Sequence, residues 1–299
     1  MRQSPPSGSV LQPPPSGSVQ RAILNWYAVE GRQLGWRATR DPYAILVSEV
    51  MLQQTQAERV EPVWRAFLQR FPTLTALADA TRAEVLTAWQ GLGYNRRAVN
   101  LHRCAAAIVE RHAGSIPDEL TALRALPGIG DYTARAVLVF AFGRRMAPVD
   151  TNVARVLARL IAGRPLSRPE AQRIADQAIP AGSPAHWTHA LMDLGARVCT
   201  ARSPRCGECP ASTSCAWRLR SGLDPAAHGA HRPRPQGRFA GSDRFHRGRL
   251  VDALRAGPVP HAQLAAAAQG STQTAERIAA ALVAEGLAEW AGETLRLPC

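Results

Sequence analysis

Leu126-Pro127-Gly128-Ile129-Gly130-Asp131-Tyr132-Thr133 runs straight into an apolar stretch that ends at Phe142, and this segment decides how the chain is read. Glycines at 128 and 130 permit a tight turn, and amides exposed at the start of the following helix can hold a phosphate. The pattern predicts a helix-hairpin-helix, although Leu-Pro-Gly-x-Gly alone also fits an ordinary turn between two helices. Working outward, apolar residues recur at three- and four-residue spacing in 44–52, 84–92, 99–109 and 153–161. From Val19 to about Leu219 the chain therefore reads as successive amphipathic helices with short connectors. No convincing strand alternation interrupts them.

The flanks read differently. Residues 1–19 hold the repeat PPSGSV at 5–10 and again at 14–19, with almost nothing to bury, and predict a disordered tail. Residues 220–243 are rich in Pro, Gly, Arg and His, a basic linker. After them, helices over 244–256, 260–268 and 272–286 precede two short extended pieces, 288–290 and 294–297. That order predicts a small winged-helix-like module over 244–299. Its approach carries Arg232, Arg234, Arg238, Arg244, Arg247 and Arg249. Two roles stand open for the module, a nonspecific grip on phosphates or the reading of a base. The grip is favoured because no base-reading pocket is evident.

A net charge of +13 points to a polyanionic partner, since neutralising phosphates releases condensed counterions. Every basic residue is Arg, so no Lys amine is present and chemistry that runs through a Lys Schiff base is excluded. No apolar run approaches the roughly 18 residues of a membrane span, and the N-terminus has no signal-peptide stretch. A cytoplasmic, nucleoid-associated monomer is expected.

Four of the six Cys crowd into Cys199-x6-Cys206-x2-Cys209-x5-Cys215, while Cys104 and Cys299 stand alone. Zinc modules usually separate two Cys pairs by a dozen or more residues. The tighter spacing fits a cubane iron-sulfur cluster with one thiolate per iron, with zinc or free thiols as the alternatives. Arg202 and Arg205 in its first loop face either phosphate or solvent.

Two carboxyls have the setting for acid chemistry. On a helix Glu49 shares an apolar stripe with Ile45, Leu46, Leu52 and Gln53, and burial would raise its pKa toward that of a general acid. The bland alternative is a surface Glu on a misjudged helix face. Asp150 precedes an apolar-periodic helix, where an N-cap is the default explanation. The helix dipole and free amides would hold it ionised, so the two carboxyls would differ in protonation.

Together these pieces resemble the endonuclease III and MutY superfamily over residues 20–219. The MutY branch, adenine DNA glycosylases, is specified by Ser48-Glu49-Val50-Met51-Leu52-Gln53-Gln54-Thr55, by Gly91-Leu92-Gly93-Tyr94, and by Tyr132 where the lyase branch has Lys. The resemblance implies an all-α, bilobed helix-hairpin-helix glycosylase fold. About 42–149 would form the helical barrel with the hairpin, and 20–41 plus 150–219 a lobe with a [4Fe-4S] cluster on Cys199, Cys206, Cys209 and Cys215. It implies removal of adenine opposite 8-oxoguanine or G in double-stranded DNA, without strand cleavage. Glu49 would protonate adenine N7, and Asp150, assisted by Tyr132 and Asn152, would stabilise an oxocarbenium-like sugar. Trp36 and Arg37 match a pair beside the extruded adenine, although Trp36 and Tyr94 could also be plain core aromatics. Gln54 and Tyr94 match residues that wedge into the stack at the oxidised guanine, Gln53 with Gln54 favours adenine, and Gly128 and Gly130 shape the phosphate-holding turn.

Departures from the pattern are Asn95 where a second Tyr is common, His189 where Gln or Glu is common, and Ala154 where a basic residue is sometimes found. Residues 220–299 are also too short and too helical for the family's Nudix-like last domain. A thymine or uracil mismatch glycosylase on the same scaffold is the nearest alternative. A helix-hairpin-helix binding protein without catalysis would not need Glu49, Asp150 and Tyr132 together.

Overall fold

The structure is a computed structural model and describes residues 15–228 and 237–299. Most of the expected tail and part of the expected linker, with Arg232 and Arg234, lie outside the described residues, but residues 17–19 of that tail instead open the first helix, because Val19 is buried there. The chain folds as helices α1 (Gly17–Glu30), α2 (Pro42–Leu52), α3 (Ala57–Arg70), α4 (Leu74–Ala78), α5 (Arg82–Ala88), α6 (Arg96–His112), α7 (Leu120–Arg124) and α8 (Asp131–Phe140). They are followed by α9 (Thr151–Leu157), α10 (Arg168–Gln177), α11 (Pro184–Asp193), α12 (Ala216–Arg220), α13 (Asp243–Ala256), α14 (Leu264–Ala268) and α15 (Thr272–Ala284). Strands β1 (Val259–Pro260), β2 (Glu289–Ala291) and β3 (Thr294–Arg296) all belong to the C-terminal segment.

Local chemistry sets many of the boundaries. Thr81 with Glu84, and Ser167 with Glu170, form reciprocal capping boxes at α5 and α10. Ser242 and Ser271 cap α13 and α15 through side chains that accept from Phe245 and Thr274 amides. No helix among the described residues is long and apolar enough to cross a membrane.

Two compact units emerge. One joins the N-terminal 15–33 to 143–228; the other joins 34–142 to the C-terminal 237–299. In the first unit α1 packs along α11, and Ile23, Val153, Leu157, Ile174, Trp187 and Leu191 share its core. Its α9 and α11 both run on into π-helical turns, Ala158–Ala162 and Leu194–Val198. In the second unit α2 is the axis, packed against α3, α6 and α8. Every residue of α2 from Tyr43 to Met51 is buried, as a helix apolar on all sides must be.

The C-terminal segment has the helix and strand order of a winged helix. β3 lies between β1 and β2, antiparallel to both, and Leu295 pairs with Val259 on one side and Trp290 on the other. The two-residue β1 was not legible as a strand, because its partner lies some 35 positions along the chain. Leu250, Leu254, Ile278, Leu282 and Leu295 fill the centre.

Candidate active site and cluster centre

α2 presents the first carboxyl. Its N-terminus is fixed by Asp41, whose side chain accepts from the amides of Tyr43 and Ala44 at 3.0 and 3.3 Å, with Pro42 at the first helical position. Glu49 sits seven residues further on and is only 5% exposed. Its burial is thus more complete than a stripe on one helix face would give. The indole of Trp64 donates to Ala44 O at 2.9 Å, and Trp36 meets Trp64 edge to face with ring centroids 5.8 Å apart. Trp36 is 5% exposed, and Arg37 follows it at the end of a short 3-10 turn.

Beyond α2 the chain turns sharply. Gln54 takes a left-handed conformation with φ of 58°, and Gln53 Nε2 donates to Thr133 Oγ1 on α8 at 3.3 Å. At the hairpin, Gly128 has φ of 76°, and a Cβ there would lie 2.7 Å from Asn100 Cβ, so two independent constraints demand glycine. Gly130 is the N-cap of α8 and faces open space, and Tyr132 stands in the first turn that follows.

Tyr94 is 41% exposed and also left-handed, with φ of 45°, a conformation that costs an L-residue about 1–2 kcal/mol. It is not a core aromatic. The residue that holds its loop is Arg97, which the sequence does not single out because Arg96-Arg97 looks like a solvated pair. The buried Arg97 guanidinium donates to Val50 O, Met51 O and Gln53 O at the end of α2, and to Leu92 O, Gly93 O and Thr55 Oγ1. It also lies over the rings of Trp89 and Tyr94 at 5.4 and 5.5 Å. One side chain therefore joins the helix bearing Glu49 to the loop bearing Tyr94.

The first unit presents the second carboxyl. Asp150 is the N-cap of α9: Oδ1 accepts from Val153 N at 2.6 Å and Oδ2 from Asn152 Nδ2 at 3.2 Å. Asn152 Oδ1 in turn accepts from Arg155, whose guanidinium also donates to Gly195 O and Cys199 O. Gly195 has to be glycine here, because a Cβ would lie 2.7 Å from Asn152 Cβ. The cap forms as expected, but it does not lower the Asp150 pKa. Burial of the carboxyl outweighs its hydrogen bonds to Val153 and Asn152 and the nearby Arg155 charge, and pushes its pKa above the usual carboxylate value.

The four cysteines of the 199–215 loop line one pocket with Arg159, Val198, Pro204 and Trp217. The thiols surround a shared space, the arrangement that one thiolate per iron requires. Burial pushes the Cys209 thiol up to about 11 and raises Cys199 as well, so both favour a neutral thiol until a metal replaces the proton. The donor set fits an iron-sulfur cluster. Arg159, 1% exposed, donates to Cys199 Sγ at 3.4 Å and to Asp224, and lies over Trp217 at 4.9 Å. Arg205 is occupied by Arg197 O and Glu208, whereas Arg202 is exposed. Purified protein is expected to be brown, to absorb near about 400 nm, and to carry about four irons per chain. Stoichiometric zinc without iron after anaerobic purification would overturn that expectation.

Comparison with known proteins adds the lineage. Residues 47–180 match the HhH-GPD superfamily base excision DNA repair protein model, and residues 199–210 match the iron-sulfur binding domain of endonuclease III. The adenine DNA glycosylase of Mycolicibacterium smegmatis is 45% identical over 273 residues, 89% of this chain and 91% of that one. The Mycobacterium tuberculosis adenine DNA glycosylase is 44% identical over 274 residues, 89% and 88% of the two chains. Among solved structures, a thermostable thymine-DNA glycosylase is similar with a TM-score of 0.62 at 28% identity, covering 67% of this chain and 95% of its own. Likeness at that identity and over nearly the whole of both chains means that this chain belongs to the adenine DNA glycosylase family of base excision DNA repair enzymes, all-helical in its catalytic region and carrying a [4Fe-4S] cluster.

Proposed function

We propose that the chain excises adenine mispaired with 8-oxoguanine or G in duplex DNA and leaves the backbone uncut. The observation that carries this reading is Glu49, a carboxyl almost wholly removed from water on an apolar helix in the segment Ser48 to Thr55 that marks the adenine-removing branch. Adenine is a poor leaving group until protonated. In this reading Glu49 delivers a proton to N7 as the bond from N9 to C1′ breaks, and the bonding pair leaves with the base. The positive charge left on the sugar is met by the Asp150 carboxylate, with Asn152 and Tyr132 assisting, until water adds at C1′ and gives adenine and an abasic site.

The raised pKa of Asp150 supports that role, because a buried anion gains more from a cation forming beside it than a solvated one. Trp36 and Arg37 would flank the extruded base, while Gln54 and Tyr94, supported by Gln53, would wedge into the stack at the oxidised guanine opposite it. Gly128 and Gly130 would let the hairpin approach a phosphate. Cys199, Cys206, Cys209 and Cys215 would hold the cluster, which when bound fixes the fold of their loop.

Single-turnover assays on duplexes with A opposite 8-oxoguanine, A opposite G and T opposite G test the reading. Adenine release from the first two, with strands broken only after alkali, is expected; thymine release alone would transfer the chain to the mismatch alternative. The pH profile carries a further expectation. Asp150 works as the anion and its pKa is raised, so activity should fall with acidification at a pH above the ordinary Asp value of 3.8. An acid limb at or below 3.8 would remove Asp150 from this role.

A further inference from the structure

We propose that Arg255, on the C-terminal module, is a positioning residue for the Tyr94 loop, and that through it the module sets how strongly the enzyme distinguishes the base opposite the adenine. The inference rests on the reading of Tyr94 as the residue inserted beside that base.

The charge of the module argues against a grip on phosphates. Residues 244–299 contain six Arg and five Asp or Glu, so the module contributes only one of the chain's +13 charges. Its cations are also engaged: Arg247 pairs with Glu285, Arg249 and Arg255 with Asp252, Arg277 with Asp243, and Arg296 with Glu289. Its third helix, α15, which would enter a groove in a DNA-reading winged helix, offers one cation, and that is Arg277. The tip of the wing carries Glu293 beside Gly292. A phosphate-binding module concentrates unpaired positive charge on one face, and here it is cancelled.

What the module does hold is the support of Tyr94. α13 packs against α5, and the Arg255 side chain is 6% exposed. Its Nε donates to Leu86 O at 3.0 Å and its Nη2 to Asn95 Oδ1 at 2.9 Å, while Asp252 Oδ1 fixes the remaining nitrogen at 2.7 Å. Asn95 directly follows Tyr94 and is itself buried at 8% exposure. The carbonyl of Pro298 accepts from Ala83 N at 2.9 Å, one of the first-turn amides of α5, so the module attaches at both ends of that helix. Trp89, just beyond α5, donates to Gly93 O at 3.2 Å. The strained left-handed Tyr94 is thus clamped from within by Arg97 and Trp89, and through Asn95 by the module.

The chemistry at position 95 matters to this clamp. An amide oxygen pointing at a guanidinium makes a charge-assisted hydrogen bond that a tyrosine ring in the same place cannot make in the same geometry. Arg255 and Asn95 therefore work as a pair, and neither touches DNA in this account.

The test uses the full chain, with Arg255→Ala, Arg255→Lys, Asn95→Ala and the Arg255→Ala/Asn95→Ala double variant. The readout is the ratio of single-turnover rate constants, at saturating enzyme, on A opposite 8-oxoguanine and A opposite G. Fluorescence of a 2-aminopurine placed next to the opposite base reports insertion at that base independently. Each single alanine variant is expected to shrink the ratio by about tenfold and to dim the insertion signal, as loss of one charge-assisted hydrogen bond predicts. The double variant should go no further, because both residues act through one contact. Arg255→Lys should retain part of the ratio.

A purely structural Arg255 would lower the melting temperature and the active fraction on both duplexes alike, leaving the ratio intact, and that result overturns the proposal. Additive losses in the double variant would overturn it as well. Should Arg255→Ala fail to fold, Asn95→Ala and Arg255→Lys carry the same comparison. A wild-type enzyme that shows no preference between the two duplexes defeats the underlying reading of Tyr94, and is seen before any variant is made.

Discussion

Glu49→Gln and Asp150→Asn are each expected to slow single-turnover adenine release by about a thousandfold or more while leaving duplex affinity within a few fold of wild type. Both changes keep shape and remove one chemical property. Gln at 49 fills the same buried space but has no acidic proton to give to N7, so the leaving group departs as an unstabilised anion. Asn at 150 is as good an N-cap as Asp and can still accept from Val153 N, so α9 should start where it does now. What it lacks is the negative charge that meets the forming sugar cation. Interactions made only in the transition state affect rate and not ground-state binding, which is why the two measurements should separate. If either variant keeps near wild-type excision, its assigned role is wrong; if affinity falls in parallel with rate, the change has disturbed the fold instead.

Arg97→Ala is expected to cost about 3–5 kcal/mol of stability, a large share of the roughly 5–15 kcal/mol that holds a typical domain. The guanidinium is buried, and burial pulls its pKa down to about 10, yet it stays charged at neutral pH because six neutral oxygens solvate it. Truncation would leave the carbonyls of Val50, Met51, Gln53, Leu92 and Gly93 without this donor in a site that water reaches poorly. Arg97→Lys should fold, because it keeps the charge, but it cannot span both carbonyl groups with a planar fork and should lose most of the activity. Thermal or urea unfolding of the two variants checks the ranking. A melting temperature for Arg97→Ala within about 3 °C of wild type would show that the site is tolerant and that the coupling of the two loops lies elsewhere.

The parts of this molecule that were legible in its sequence are those written in contiguous residues. The hairpin at 126–130 and the four-Cys spacing each bring their chemistry together within a score of positions, so local geometry and composition suffice. The winged-helix order was legible for the same reason, from helical periodicity and two short extended pieces. What was hidden depends on distance along the chain. Arg97 reaches acceptors more than forty residues upstream, and in a protein whose only cations are arginines one more Arg carries no signal. The cap at Asp150 was legible because it is local, whereas the burial that raises its pKa is not. Arg247 and Arg249 looked like phosphate contacts until Glu285 and Asp252 were seen beside them.

The first unit is assembled from two stretches of chain with more than a hundred residues between them, and this bears on the order of events as the chain leaves the ribosome. α1 is synthesised first, yet the helix it packs along, α11, begins at Pro184. Until then the apolar face of α1, with Val19 and Ile23, has no partner. Residues 34–142 can begin to collapse on their own while it waits. Closure of the long loop comes only afterwards, and the cysteines emerge later still, from 199 onward. Iron-sulfur assembly therefore meets a chain in which α1 and α11 can already have docked, and a shortage of iron during synthesis would leave the 199–215 loop, not the helical core around Ile23 and Trp187, as the segment open to proteolysis.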